Sequence, residues 1–507
     1  EIVSRQGLTV TTPTLLNDGL IQGGGETLLK ATSQARNDGK LLSGARLTLN
    51  TPQYTGSGWL QATDLILNAA NAANGGGTWI ADRATLTGTT FTNQGTTQAG
   101  TLAVNYGQLT NGGTLLGNSQ LNIDADSVTQ SASGKLFSGG DLWLESKGLD
   151  LVGQLVSLGN LTLKLTNAFT SKTAIAAGKT LAITSNGGID NRSVLQGQAV
   201  NLTAGGQLSN NGQITTGSGS STLSGSSVAL NSTGSVQGGG DITVASRGNM
   251  TVDGFTGTRG SLTLSAPGSI INTALLYAAN NLALYANSIT NQRGDIMAGN
   301  NLSMQRDAAG NASAQIVNTS GNIETQNGDI TIKAGQLLNQ RDGLNVITEQ
   351  HPVPTESWMT GQANIDVPVS ALPEGSYGYY SQLARWETGS CGGGKNGGCN
   401  YHEEMRYYYA PFEEFATQKF VLSNTVTTVT GGNNPAGRIV SGRDLTLNTN
   451  ILENQASNIL AEKNITLTGK TLNNKSWQDG VQNEYLVYEY AHKNPAVKVK
   501  YASYELS

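Results

Sequence analysis

The sequence predicts an all-β fold: a right-handed parallel β-helix of ~20-residue rungs, broken by an irregular Tyr/Pro-rich insertion. Three observations carry that expectation. First, a Leu-x-Leu pattern recurs about every 20 residues, as Leu142–Leu144, Leu161–Leu163, Leu181–Ile183, Ile242–Val244, Leu262–Leu264, Leu282–Leu284 and Leu302–Met304, with Leu202 and Leu223 between them. Second, an Asn/Gly turn follows each copy, as in Leu208-Ser209-Asn210-Asn211-Gly212 and Ile289-Thr290-Asn291-Gln292-Arg293-Gly294. Third, only 13% of the 507 residues are charged and 66 are Gly, yet the apolar positions keep their spacing, so the glycines mark turns and not a flexible linker. A repeat of this kind grows in one dimension without needing a new core for each added domain.

Looser copies precede these, at Leu47–Leu49, Leu65–Leu67, Leu86, Leu102–Val104 and Leu121–Ile123. Each unit reads as two or three short strands joined by tight corners, where Asn and Gly accept positive φ. Alternation sends the Leu-x-Leu pairs into the bore and Thr, Ser, Asn and Lys to water. About 15 rungs before residue 335, stacked at ~4.8 Å, would extend on the order of 70 Å. Leu161, Leu181, Leu202 and Leu262 are expected to line one common axis. The spacing stretches at Arg306–Val317 and recovers at Ile330-Thr331-Ile332 and Leu337-Leu338-Asn339. It is lost after Leu344 and returns at Leu445–Leu447 and Ile465–Leu467. The expected organisation is therefore a β-helix over 1–344, an insertion over 345–440, resumed rungs over 441–475 and a Tyr-rich segment over 476–507.

The insertion has its own chemistry. Six of the ten prolines fall in it, Pro352, Pro354, Pro368, Pro373, Pro411 and Pro435, and they deny ladder hydrogen bonds to ordinary rungs. Pro411 ahead of Glu413 and Glu414 reads as the start of a short helix. Seven of the sixteen tyrosines are here as well: Tyr377, Tyr379, Tyr380, Tyr401, Tyr407, Tyr408 and Tyr409. With Trp386 they are the candidate receptor contacts, because aromatic rings bury large area with few torsions. The same rings would also serve as a small core for a segment that lacks rung geometry. Val497 to Tyr501, with Lys498 and Lys500 alternating, reads as one more strand.

Cys391 and Cys399, the only cysteines, bracket a Gly/Lys/Asn loop. A disulfide is the natural reading in a secreted protein. The alternative, a metal site with His402, gives an incomplete tetrahedral set. No cofactor is expected. Gly392, Gly394 and Gly397 match G-x-G-x-x-G in letter only, without the strand before and the helix after. Gly139-Gly140-Asp141 and Gly239-Gly240-Asp241 lack the tandem of calcium-binding repeats and read as corners before a strand. Parallel β-helices include polysaccharide-cleaving enzymes, and the candidate carboxylates would be Asp124, Asp126, Glu403, Glu404, Glu413 and Glu414. Catalysis would need a pair of them across a cleft at a defined separation, and adjacent pairs such as Glu403-Glu404 are more often solvated surface. The net charge of −5 disfavours nucleic acid, which needs a basic face. No apolar run approaches the ~20 residues of a membrane helix. The start at Glu1-Ile2-Val3 shows no leader and reads as an excised fragment.

The repeats resemble those of filamentous haemagglutinin and the large two-partner-secreted exoproteins of Gram-negative bacteria. The carrying segments are Ala279-Asn280-Asn281-Leu282-Ala283-Leu284, Ile289 to Ile296, Ala298-Gly299-Asn300-Asn301-Leu302 and Leu337 to Leu344. Such repeats followed by a Tyr/Pro-rich region resemble the middle of a contact-dependent growth inhibition effector of the CdiA type. That resemblance implies a non-enzymatic receptor-binding module on a monomeric, secreted cell-surface filament. It implies an outer-membrane protein or lipopolysaccharide of neighbouring bacteria as partner, and an outer-membrane two-partner-secretion transporter during export. The segment before the Tyr/Pro-rich region would hold the receptor reader, and 345–507 would begin the Tyr/Pro-rich region. A haemagglutinin-type adhesin for host glycans or matrix is the alternative, and a carbohydrate-active β-helix enzyme a second one.

Overall fold

The computed structural model describes the backbone of residues 1–352, 358–360, 366–368, 377–385, 401–409, 417–489 and 500–502, and the side chains of 1–351 and 424–482. Every regular element among the described residues is a β-strand. They divide into two units, Glu1–Asp342 with Asn434–Lys475, and Gly343–Asn433 with Ser476–Ser507.

The first unit is a parallel β-solenoid of about 20 turns. The inward residues of the Leu-x-Leu strands stack in two neighbouring files. One runs Leu144, Leu163, Ile183, Leu202, Leu223, Val244, Leu264, Leu284, Met304, Ile332, Leu447 and Leu467. The other holds Leu161, Leu181 and Val200, and, beyond Ser221, Ile242, Leu262, Leu282, Leu302, Ile330 and Leu445. At Ser221 a hydroxyl takes the place of an aliphatic side chain and accepts the Val200 N–H at 2.9 Å. Leu161, Leu181 and Leu262 therefore share one file, whereas Leu202 stands in the neighbouring one, two residues along the strand. The expected single axis becomes two parallel ones, because both members of each Leu-x-Leu pair face the same bore. On the final rung of this unit Ile465 and Leu467 are each 45% exposed, since no further rung of the unit covers them.

Rungs between Leu161 and Thr258 have three short strands, as Thr180–Ser185, Ile189–Asn191 and Val194–Gly197, whereas Leu262–Asn272 and Leu282–Gln292 each replace two of them with one 11-residue strand. Three earlier rungs each run through as a single long strand, Trp59–Asn74, Thr78–Asn93 and Thr96–Asn111. Their bore is filled by rings. Tyr54, Trp79, Phe91 and Tyr106 are fully buried in sequence of contact, with centroids 5.4, 5.7 and 5.3 Å apart. Such offset and edge contacts stabilise beyond the area they bury.

The corner asparagines correct the expectation. They do not supply positive φ; outside glycine that conformation falls, among the described residues, to Arg293, Ser320 and Ala456, two residues after an Asn. The asparagines turn inward and bond to one another. Asn272, Asn291, Asn318, Asn339, Asn454 and Asn474 form one chain of Nδ2-to-Oδ1 hydrogen bonds of 2.8–2.9 Å. A buried amide has two donors and an acceptor to satisfy, and an identical neighbour one rung away does so. Serines of another corner are buried likewise: the Ser157 hydroxyl donates to Gly140 O at 2.6 Å and Ser138 to Asp141 O at 2.7 Å. Polar type alone thus misassigned these positions to water. Asp141 and Asp241 do stand at corners: their Oδ1 atoms accept the Asn160 and Ser261 N–H of the following rung, each at 2.8 Å.

Two departures interrupt the stacking. The stretched Arg306–Val317 spacing is a loop before Ser313–Thr319, closed by Arg306 N–H to Asn311 O at 2.9 Å. The larger one separates rungs that are nevertheless direct neighbours. Asn322–Glu324 pairs with Arg438–Val440, and Ile330–Gln340 with Leu445–Gln455.

The second unit is antiparallel. Thr417–Thr430 pairs on one side with Asn345–Pro352 and on the other with Gly480–Glu489, which in turn meets Lys500–Ala502. Two hairpins complete its described strands, Trp358–Thr360 with Asp366–Pro368, and Tyr377–Arg385 with Tyr401–Tyr409. Of the expected final strand, Lys500 and Tyr501 are in strand; 497–499 lie outside the described residues, as does the expected helix start at Pro411.

Candidate recognition surface

The tyrosines singled out from sequence come together on one hairpin. Tyr377, Tyr379 and Tyr380 lie on one strand and Tyr401, Tyr407, Tyr408 and Tyr409 on the other. The backbone register sets Tyr377 opposite Tyr409 and Tyr379 opposite Tyr407. Trp386, Cys391 and Cys399 lie outside the described residues, as do Gly392–Gly397, Glu413 and Glu414. His402 is in strand, opposite Ala384.

The candidate acids on described strands fall in two pairs, each along a single strand. Asp124 and Asp126 occupy successive outward positions of Thr114–Gln130, and Asp126 pairs with Lys147 at 2.7 Å, both side chains more than 60% exposed. Glu403 and Glu404 are neighbours on a strand, opposite Leu383 and Gln382. Among the described residues no three His, Cys, Asp or Glu side chains gather as a metal set, and no helix is long and apolar enough to cross a membrane. Two carboxyls sit below their ordinary range for local reasons. Asp38 accepts the Ser57 N–H at 2.9 Å and the Arg36 guanidinium at 2.6 Å; Asp307 accepts the Asn311 amide at 2.8 Å. Both are exposed corner bonds within the coil, of modest energetic weight.

The solenoid offers surfaces that sequence reasoning passed over. Leu116, Phe137 and Val156 stack outward on consecutive rungs and line a shallow recess of about 170 Å³. Tyr277, 39% exposed, stands outward between Gly257 and Met297. Trp143, 40% exposed, is the only exposed tryptophan among residues with described side chains. Its signal was present: in Leu142-Trp143-Leu144 the middle position must face water, and a large ring there is anomalous.

Comparison with known proteins matches this architecture. The haemagglutinin repeat family matches residues 2–51, 251–326, 307–350 and 421–483. The chain is 48% identical, over 97% of its length, to the tRNA nuclease CdiA of Escherichia coli (strain NC101). The chain is a haemagglutinin-repeat region of the CdiA type. It is also 38% identical over 97% of its length to the deoxyribonuclease CdiA of Dickeya dadantii (strain 3937). To the 16S rRNA endonuclease CdiA of Enterobacter cloacae subsp. cloacae it is 42% identical over 90% of its length. This CdiA-type region spans about 15% of the first of those relatives and 14% of the other two. No solved structure matches it significantly.

Proposed function

We propose that this region is the non-enzymatic receptor-binding part of a contact-dependent growth inhibition filament, carried on the surface of the producing cell. The observation behind this reading is that one segment is shared by relatives named for three different nucleic-acid substrates, tRNA, DNA and 16S rRNA. A segment common to proteins with different nuclease chemistries belongs to what they do alike, which is to reach a target. A long coil with exposed outward files and no converging acids among its described residues suits that role. The partner is an outer-membrane protein or lipopolysaccharide of a neighbouring bacterium, and export uses an outer-membrane two-partner-secretion transporter. The β-helix of residues 1–344 would carry the reader. The insertion over 345–440, with its Tyr-bearing hairpin, and the C-terminal segment over 476–507 would serve the Tyr/Pro-rich role, with the resumed rungs over 441–475 between them.

The test is saturable binding of the fluorescently labelled chain to intact Gram-negative cells, compared with a variant lacking 343–433 and 476–507. Equal binding by the two assigns recognition to the solenoid, and loss in the variant assigns it to the excised segments. Absence of saturable binding to any bacterial target, with binding to host glycans instead, would replace this reading by the adhesin one.

A further inference from the structure

Trp143 stands at the edge of a recess of about 340 Å³ on the outer face of the solenoid, lined by Gln120, Asp141, Asn160, Thr162, Thr180 and Ala182 as well. The recess follows from register. Asn122, Trp143, Thr162 and Ala182 occupy the same outward position on successive rungs. Thr162 and Ala182 are the small members, so the indole forms a wall over a floor two rungs long, roughly 10 Å at the strand spacing.

We infer that this recess is a saccharide-binding subsite, taking one uncharged pyranose against the Trp143 ring. The inference rests on reading the solenoid as a recognition surface. A pyranose has two chemically different parts: a face of C–H groups and an edge of hydroxyls that donate and accept together. The exposed indole fits the first part, because a ring left in water at this cost of apolar exposure gains by covering. Planar amide and carboxylate groups fit the second. Here they are held in place before any ligand arrives. Asp141 Oδ1 accepts the Asn160 N–H at 2.8 Å, and Asn160 Oδ1 accepts the Thr180 N–H at 3.2 Å. Those bonds fix both side chains and leave the Asp141 Oδ2 acceptor and the Asn160 Nδ2 donors for a ligand, and groups already ordered lose little entropy on binding. Gln120 is steadied by its bond to Asn122 Oδ1 at 3.2 Å.

Other occupants fit less well. An extended peptide needs an unpaired strand edge, and these strands are paired to the rungs before and after them. An anionic chain needs net positive charge, but Lys164, with its Nζ 5.3 Å from the indole centroid, is drawn to Glu145 at 3.5 Å, and Asp141 adds a negative charge. The local balance suits a neutral ligand.

The test uses the full 507-residue chain. Saturation-transfer NMR is run with two neutral probes, cellobiose and maltotriose. At least one probe should show saturable transfer to its ring C–H protons. Trp143→Ala should weaken it by at least about tenfold. Trp143→Phe should bind with intermediate affinity, and Ala182→Trp should abolish binding by filling the floor while leaving the indole in place. Unchanged circular dichroism checks that each variant is folded. No saturable transfer to either probe, or Trp143→Ala binding within about twofold of the parent, overturns the site. Cell binding by the parent chain is read separately, so that its failure counts against the proposed function and the saccharide titration alone decides the subsite.

Discussion

Asn339 donates from Nδ2 to Oδ1 of Asn454 at 2.9 Å, although the two stand 115 positions apart in the chain. The bond is one step of the asparagine chain that also runs before and after it, with the same geometry. Around it, Ser320 Oγ donates to Pro435 O at 2.7 Å, and Asn434 Nδ2 donates to Asp342 O at 3.2 Å. The solenoid therefore closes over the excursion as if it were absent, and the two chain ends at that point touch.

That closure predicts that the excursion is dispensable for the solenoid. A chain of residues 1–342 joined to 434–475 by a short Gly/Ser linker should fold, because Asp342 and Asn434 already meet and a short linker costs little closure entropy. Far-ultraviolet circular dichroism should keep its β minimum, and the melting midpoint should stay within about 5 °C of the parent. A chain that fails to fold would mean that the second unit is needed to form the last rungs.

Within the ladder the middle members matter most. Asn318 accepts from Asn291 and donates to Asn339 Oδ1, Gly321 O and Arg438 O. Asn318→Ala strips a partner from a buried amide on either side and should destabilise by about 3 kcal/mol. Asn474→Ala, at the exposed end of the chain, should cost under about 1 kcal/mol. Denaturant titration of both variants measures the contrast; equal losses would show that the ladder contributes no more than a surface bond.

Much of this fold was legible because the bore needs apolar residues at a fixed interval, and Leu282, Leu302 and Ile330 declare that interval directly. The inward asparagines were not. A buried Asn and a corner Asn look alike in sequence, and only the neighbour one rung away decides which is stable. Ser138 and Ser157 were hidden for the same reason. The candidate recognition surface was half visible. The density of Tyr between Tyr377 and Tyr409 marked a non-rung segment, whereas Trp143 was masked by the Leu-x-Leu rule that treats its position as solvent and asks nothing of it. The recess beside it depends on Thr162 and Ala182, which become informative only once register aligns them.

Leu282 tests the inward files. It is 1% exposed and lies in register between Leu262 and Leu302. Leu282→Asp sets a carboxylate among aliphatic neighbours with no cation in the file, a change costing several kcal/mol. Because each rung is supported by its neighbours, the damage should be local. Hydrogen exchange should accelerate over roughly one or two rungs on either side, with the Leu144 and Leu163 rungs unaffected. Parent-like protection at Leu262 and Leu302 would refute the inward assignment.

Tyr54 and Tyr106 make alkaline pH a probe of the N-terminal rungs. Burial pushes both phenols above the ordinary tyrosine value of 10.0, at Tyr54 against a smaller opposing pull from the nearby Asn37 amide, and neither hydroxyl makes a well-formed hydrogen bond. The sign follows from proton number. Below pH 10.0 both folded and unfolded chains hold the two protons, so their contribution is constant. Above it the unfolded chain releases them while the folded chain retains them, so stability falls as pH rises toward the folded values. The parent's melting midpoint should drop between about pH 9.5 and 11.5. In Tyr54→Phe/Tyr106→Phe, which keeps the rings and removes two buried unpaired hydroxyls, the midpoint should be at least as high at pH 8 and fall less steeply. Phenolate absorbance of the parent should gain its last two equivalents only with unfolding. An identical alkaline slope in the parent and the double variant would mean that these two rings do not set it.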